Sequence, residues 1–247
     1  NFLNNTLNSS VSFSKTFRGY PSVNISLTAS HSQNTRSKTV NLVLPTFQGN
    51  VERIYPFVKK NGQKKGFFKN INLQYSFRGE NRINTTDSLF FKKGMFDDAK
   101  YGMKHSIPVS TNFKVLKHLS VSMNGNFDEI WTGNTINRTD YNISSQQQSE
   151  KIKIKGFDRF NQYNFGMSVG TTIYGLFNFK ENSKIQSIRH VIRPSVSYNI
   201  RPSFKKYYDT YIIDADGNTA EYTRFEDNFF GLPSKRYSSS IGLQISN

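Results

Sequence analysis

Along most of the chain, apolar and polar residues alternate with a period of two, the spacing of a β-strand with one apolar face. Val11, Phe13 and Phe17 alternate with Ser12, Ser14 and Thr16, and Lys15 intrudes on the apolar register. Val23, Ile25, Leu27 and Ala29 alternate with Asn24, Ser26, Thr28 and Ser30. Ile71, Leu73, Tyr75 and Phe77 alternate with Asn72, Gln74, Ser76 and Arg78. The same spacing returns in 107–115, 119–127, 163–173, 196–201 and 241–246. It predicts roughly ten or eleven antiparallel strands of a length that crosses a bilayer at a tilt. Short connections are expected at 18–22, 116–118 and 180–184, and long polar ones near 59–66, 81–102, 132–149 and 202–235. The segment 51–58 reads equally as strand or loop. Pro45, Pro108 and Pro194 each remove a ladder donor, so each marks a bulge, a strand end or an edge.

A soluble sandwich also alternates, so spacing alone does not decide between the two all-β solutions. Two features favour a membrane barrel. The polar face is Ser, Asn, Thr and Gly with occasional Arg and Lys, and has few of the Glu–Lys pairs of a water-washed sheet. Aromatics also gather near strand ends, at Phe17 and Tyr20, Phe67 and Phe68, Phe127 and Trp131, Phe157 and Phe160, and Tyr174 and Phe177. Barrel strands place such rings at the two membrane interfaces. Composition agrees: of 247 residues only 35% are hydrophobic, yet 15% are aromatic, against both disorder and a bundle of transmembrane helices. Residues 1–10 lack a basic start followed by an apolar run, so a fragment or an interior segment of a precursor is expected.

Candidate chemistry is sparse. Cysteine is absent, which removes disulfides, thiolate metal sites and a Cys nucleophile. His31, His105, His118 and His190 have no partner at metal-ligand spacing. Asp214-Ala215-Asp216-Gly217-Asn218 opens like a calcium loop, but Phe225 stands where the bidentate Glu belongs, so a hairpin turn is the better reading. No nucleophile elbow, phosphate loop or paired carboxylates occur, so no enzyme, metal or cofactor is expected. What remains is charge: 33 Lys and Arg against 17 Asp and Glu, a net +16. Lys59, Lys60, Lys64 and Lys65 share one loop, Lys151, Lys153 and Lys155 share a strand face, and Arg189, Arg193 and Arg201 lie close in sequence. Such charge attracts phosphate-bearing partners, and no nucleic-acid-binding signature accompanies it. That leaves lipid headgroups as the partner, beside the alternative of a solvated, basic loop surface with no specific ligand.

Several stretches resemble the Bacteroidota branch of the LptD family, the outer-membrane proteins of lipopolysaccharide assembly. They are Ser30-His31-Ser32-Gln33-Asn34-Thr35, Val40-Asn41-Leu42-Val43-Leu44-Pro45 and Arg53-Ile54-Tyr55-Pro56-Phe57. Lys104-His105-Ser106-Ile107-Pro108-Val109 and the block from Ile188 to Tyr198 complete the set. The resemblance implies a very large outer-membrane β-barrel, of which 1–247 would be one part. It implies a lumenal plug lipoprotein resembling LptE and periplasmic transport-bridge proteins as partners. It also implies insertion of lipopolysaccharide into the outer leaflet through a lateral opening. In that setting Arg78 and Lys114, on the polar faces of their strands, are lumenal ligand candidates. Lys59, Lys60, Lys64, Lys65, Arg189 and Arg193 are candidates for lipid phosphates at the surface. The alternatives are a porin-like or nutrient-uptake barrel and a secreted glycan-binding β-sandwich adhesin.

Overall fold

The computed structural model describes residues 5–59, 62–64, 66–116, 118–180 and 185–246. Lys60, Lys65 and most of the expected turn at 180–184 lie outside the described residues. The elements in chain order are β1 (Thr6–Phe17), β2 (Val23–Asn34), β3 (Thr39–Ile54), α1 (Phe67–Asn70), β4 (Asn72–Thr86) and β5 (Lys100–Val115). They continue with β6 (Leu119–Arg138), β7 (Lys151–Gly170), β8 (Ile173–Asn178), β9 (Ser187–Arg201), β10 (Tyr208–Ile212), β11 (Thr219–Thr223) and β12 (Ser238–Ser246). Ten strands form one sheet in the order β1-β2-β3-β4-β5-β6-β7-β9-β12, with β8 also paired to β9, and every pairing is antiparallel. Among the described residues β1 and β12 are not paired with each other. The fold is an open, all-β barrel segment.

Pro45 marks a bulge as expected, whereas Pro108 and Pro194 lie inside β5 and β9, each where the ladder to one neighbour is interrupted. Pro45 sits in a bulge of β3, where the register shifts between Val43 and Thr46. Pro108 falls in a gap of the β4–β5 ladder, between the pairs Leu73↔Val109 and Ser76↔Ser106. Pro194 faces the joint between β7 and β8, which lie end to end against β9. Its carbonyl accepts the Thr171 N–H at 3.1 Å, and the chain then resumes as β8. Because Gly170 already opposes Ser120 at the start of β6, the β8–β9 ribbon extends beyond the rest of the sheet.

Residues directly opposite on neighbouring strands share a face, so the register sorts the whole sheet into two surfaces. One continuous row reads Phe13, Leu27, Phe47, Gly79, Met103, Trp131, Arg159. A second row on the same face reads Ile54, Leu73, Val109, Gly125, Phe165, Ile200. The opposite face reads Ser14, Ser26, Gln48, Arg78, Lys104, and further along Asn72, Ser110, Asn124, Gly166, Asn199. The alternation predicted from sequence thus adds up across strands to one apolar and one polar surface. Val121 belongs to the apolar face, but it is only 6% exposed between its register neighbours Phe113 and Val169.

Aromatic rings bound the apolar face at both ends. Near the β5–β6 turn Phe67 meets both Phe68 and Phe113, with ring centroids 5.1 Å away in each case. At the other end Trp131 packs against His105 at 4.3 Å and against Phe157 at 5.7 Å. From Phe113 to Met103, the residue opposite Trp131, ten residue steps span about 33 Å along the strand. At a strand tilt of about 40° this is about 25 Å of height, the apolar thickness of an outer-membrane barrel.

Strand direction alternates, so the connections sort onto two ends. The turn at 18–22, the connection 55–71, the turn at 116–118 and the tip of the β8–β9 ribbon share one end. The turn at 35–38 and the connections 87–99, 139–150 and 202–237 share the other. Two loops are shorter than the sequence suggests: β4 continues to Thr86 and β6 to Arg138, so 81–102 and 132–149 shrink to 87–99 and 139–150. The reason is pairing without alternation. Asn134↔Lys155 through Arg138↔Lys151 continue the ladder where loops cover one face, so no apolar period is required. Residues 51–54 are strand, and 202–237 carries the β10–β11 hairpin.

The long connections fold onto the sheet. Phe225 is fully buried against Ile130 and Phe160, with Tyr207 and Phe230 around them. Ile130 and Phe160 oppose one another on the otherwise polar face, so Phe160 is a seat for a loop and not an outward interfacial ring. The segment 87–99 buries Met95 against Val40, Leu42 and Ile83.

Candidate lipid pathway and its charged wall

The polar face of β4 and β5 carries the charge singled out in the sequence. Arg78 and Arg82 both pair with Glu80, Arg82 Nε lying 2.6 Å from Oε2. The spacing of two puts all three on one face, and the Glu80 side chain is 2% exposed against 53% for Arg78. A buried carboxylate between two guanidiniums is compensated, and it fixes Arg78 while leaving much of that guanidinium open. Opposite Arg78 in register lies Lys104, with Nζ 3.3 Å from Asp128 Oδ2. Ser106 Oγ donates to the other oxygen of Asp128. Beside this pair a polar cavity of about 330 Å³ is lined by Asn126, Asp128, Gln162, Asn164 and Arg201. Amides, a carboxylate and a guanidinium around one cavity suit sugar hydroxyls and phosphate oxygens.

The remaining predicted residues do not converge on Arg78. Lys114 also lies on the polar face, but ten residue steps along β5 from Lys104, about 33 Å away. Lys59 is exposed in the connection 55–71, and Lys64 Nζ lies over the Tyr55 ring at 3.6 Å. Arg189 stacks on Tyr174 at 4.6 Å, and Arg193 is exposed on β9 opposite Ser246. By strand direction Lys114, Lys59, Lys64 and Arg189 all belong to the short-turn end. Arg78 lies toward the long-loop end, so the predicted set forms two stations.

Sequence reading missed the ionic closure at the long-loop end. Lys151 Nζ lies 2.9 Å from Asp227 and 3.4 Å from Glu226, and Lys100 lies 3.7 Å from Asp227. Arg138 holds Glu226 at 3.0 Å, and Lys153 holds Asp98 at 2.6 Å. The lysine stripe at 151, 153 and 155 therefore tethers loops instead of offering free cations. Its signal was the acidic run Glu226-Asp227, but only the fold brings it opposite β7. Asp214 accepts backbone N–H bonds from Asp216 and Asn218 and closes the β10–β11 hairpin, as its turn reading requires. Among the described residues no group of His and carboxylates could hold a metal.

Two of the tethering carboxyls respond to pH in a defined direction. The hydrogen bond from Lys153, then its charge, holds Asp98 below the ordinary Asp value. Burial pushes Asp227 up, but the Lys151 hydrogen bond and the charges of Lys100, Lys151 and Lys153 outweigh it, so it too sits low. A depressed carboxyl stabilises above its unfolded pKa, near 3.9, and that contribution is lost as pH falls through the folded value. The opening equilibrium of 222–230, read as the hydrogen-exchange rate divided by the intrinsic rate at each pH, is therefore expected to stay flat from about pH 8 to 5 and to rise below about pH 4. A rise already between pH 7 and 5 would assign the closure to other groups.

A family model described as LptD protein matches residues 1–247. The chain belongs to the LptD family. Neither the curated proteins nor the solved structures gave a match. LptD proteins are outer-membrane proteins of lipopolysaccharide transport, and the two-faced antiparallel sheet is the architecture such a role needs. LptD is a transport family.

Proposed function

We propose that this LptD-family sheet is part of the wall of a translocon that inserts lipopolysaccharide into the outer leaflet. The observation that carries this reading is the sorting of the sheet into an apolar outer face and a polar, cation-bearing inner face. Acyl chains leave sideways into the bilayer while phosphates and sugars stay along the inner face. Arg78, with the Lys104–Asp128 cavity beside it, is the station nearer the long loops, and Lys114 is the station nearer the short turns. Between low-dielectric walls each charge contact is stronger than in bulk water, and two separated stations hold the ligand without one deep trap. Lys59, Lys60, Lys64, Lys65, Arg189 and Arg193 meet lipid phosphates at the rim. A plug lipoprotein and periplasmic bridge proteins complete the route, and no covalent step is involved.

The test is charge reversal. Arg78→Glu with Lys114→Glu is expected to lower lipopolysaccharide crosslinking to the inner face and to impair surface delivery, while heat-modifiable migration shows an intact barrel. Normal delivery with unchanged crosslinking would remove the inner face from the route. A porin-like barrel would instead show altered solute uptake with lipopolysaccharide delivery unchanged.

A further inference from the structure

The outer face carries one charge pair where apolar residues are the rule. Glu129 lies on the apolar face of β6, directly opposite His105 and two positions from Trp131. Arg159 lies opposite Trp131 on β7. Glu129 Oε1 accepts from Trp131 Nε1 and from Arg159 Nη1, both at 2.8 Å. The Glu129 side chain is 20% exposed and that of Arg159 is 64% exposed. Since both bonds fall on Oε1, Oε2 remains an acceptor, and Arg159 retains unspent donors.

Aromatic packing fixes this pair. The indole of Trp131 rests on His105 at 4.3 Å and edges Phe157 at 5.7 Å, and Tyr75 Oη lies 2.7 Å from His105 Nδ1. The cluster stands at the long-loop end of the apolar band, the depth at which barrel aromatics meet headgroups. Two positions inward, Phe127 and Tyr163 oppose one another on the same face and continue it as apolar wall. An exposed ion pair by itself contributes little stability. A carboxylate and a guanidinium held side by side, the carboxylate fixed by the indole N–H, are instead complementary to a headgroup with both signs of charge.

We propose that Glu129, Arg159 and Trp131 form an outer-wall site for a lipid headgroup carrying both a phosphate and a primary ammonium, that is, phosphoethanolamine. The guanidinium of Arg159 donates to the phosphate. The ammonium donates to Glu129 Oε2, on the carboxylate that the indole N–H holds in place. A choline headgroup has no N–H for Glu129, and a purely anionic headgroup meets the carboxylate without compensation. The inference rests on the outer-face assignment above, and it concerns a surface separate from the Arg78–Lys114 route.

Trp131 is the single tryptophan of the 247 residues and reports the site directly. The full-length protein, with any tryptophan elsewhere replaced by phenylalanine, is reconstituted into phosphatidylcholine vesicles. A brominated phosphatidylethanolamine, phosphatidylcholine or phosphatidylglycerol is then added in matched trace amounts. Quenching by the brominated phosphatidylethanolamine is expected to exceed both others several-fold. Arg159→Gln and Glu129→Gln are each expected to bring it down to the phosphatidylcholine level. The glutamine in Glu129→Gln can still accept from Trp131 and Arg159, so the local fold is kept. Unlabelled competitors separate the sources: a lipid A bearing phosphoethanolamine displaces the probe, and lipid A with a bare phosphate does not. Equal quenching by all three lipids, or strongest quenching by phosphatidylglycerol, overturns the headgroup site and leaves the outer face standing. Absence of quenching by every lipid overturns both.

Discussion

Val109→Arg is expected to destabilise the assembled barrel by about 2–4 kcal/mol, the cost of a lipid-facing arginine near the bilayer midplane. Val109 stands in mid-strand on the apolar face, opposite Leu73 on one side and Gly125 on the other. It is 39% exposed, so the new side chain meets lipid and not a packed neighbour. Six residue steps separate it from Met103 and four from Phe113, about 20 and 13 Å along the strand, too far for easy snorkelling to either girdle. The adjacent Ser110 faces the other way, opposite Asn72 and Asn124. Ser110→Arg meets no lipid but gives up the hydrogen bond from Ser110 Oγ to Asn72 Oδ1, so it is expected to cost about 1 kcal/mol. Reversible unfolding in phosphatidylcholine bilayers, read by urea midpoint, gives both numbers. Equal costs at the two positions would mean that the faces have been assigned wrongly.

Phe225→Ala is the second large effect. The ring is fully buried between Ile130, Phe160 and Tyr207, with centroids 4.7 Å from Phe160 and 5.8 Å from Tyr207. Removing a buried phenyl costs about 3–5 kcal/mol when the cavity cannot collapse. Here the loss falls on the connection 202–237, because Phe225 is its anchor on the sheet. Arg224 beside it keeps a 2.6 Å pair with Asp158, and Lys151 keeps Asp227, so the loop stays near its seat but opens often. Limited proteolysis is expected to cut within 202–237 in the variant and not in the parent, while the rest of the barrel resists as before. A parent-like digestion pattern would mean that the ionic tethers alone hold the loop, and the aromatic seat would lose its role.

What the sequence disclosed follows from where alternation is physically required. Between the girdles each strand separates lipid from a polar interior, so 107–115 and 119–127 announce both their strands and their faces. Beyond the girdles that requirement ends. Asn81–Thr86 and Thr132–Arg138 carry a single apolar residue each, Ile83 and Ile136, too little for a period; they read as loop and yet are strand, because the ladder continues and each isoleucine is buried. The break at Thr171 was invisible, since Tyr163 to Ile173 keeps its period straight through the joint. Phe225 was equally silent, an aromatic set between Arg224 and Glu226 with no period around it, whose partners lie 65 and 95 positions earlier. For the candidate site, Arg78 was legible as a charge on a polar face, but Glu80, two residues on and on the same face, went unread as its partner. Glu129 and Arg159 lie just beyond the alternating runs 119–127 and 163–173, and their union depends on the β6–β7 register, which no local pattern specifies.

The end-to-end placement of β7 and β8 bears on how the cylinder closes. Because those two strands form a single column against β9, the ten strands of the sheet occupy nine columns. Antiparallel neighbours reverse direction at every step, so the first column, β1, and the ninth, β12, point the same way. Brought together directly they would meet as a parallel seam, with slanted bonds unlike those of every other junction. A cylinder built wholly of antiparallel junctions therefore needs an odd number of further strands between β12 and β1. The seam of such a barrel cannot be the simple meeting of these two edges.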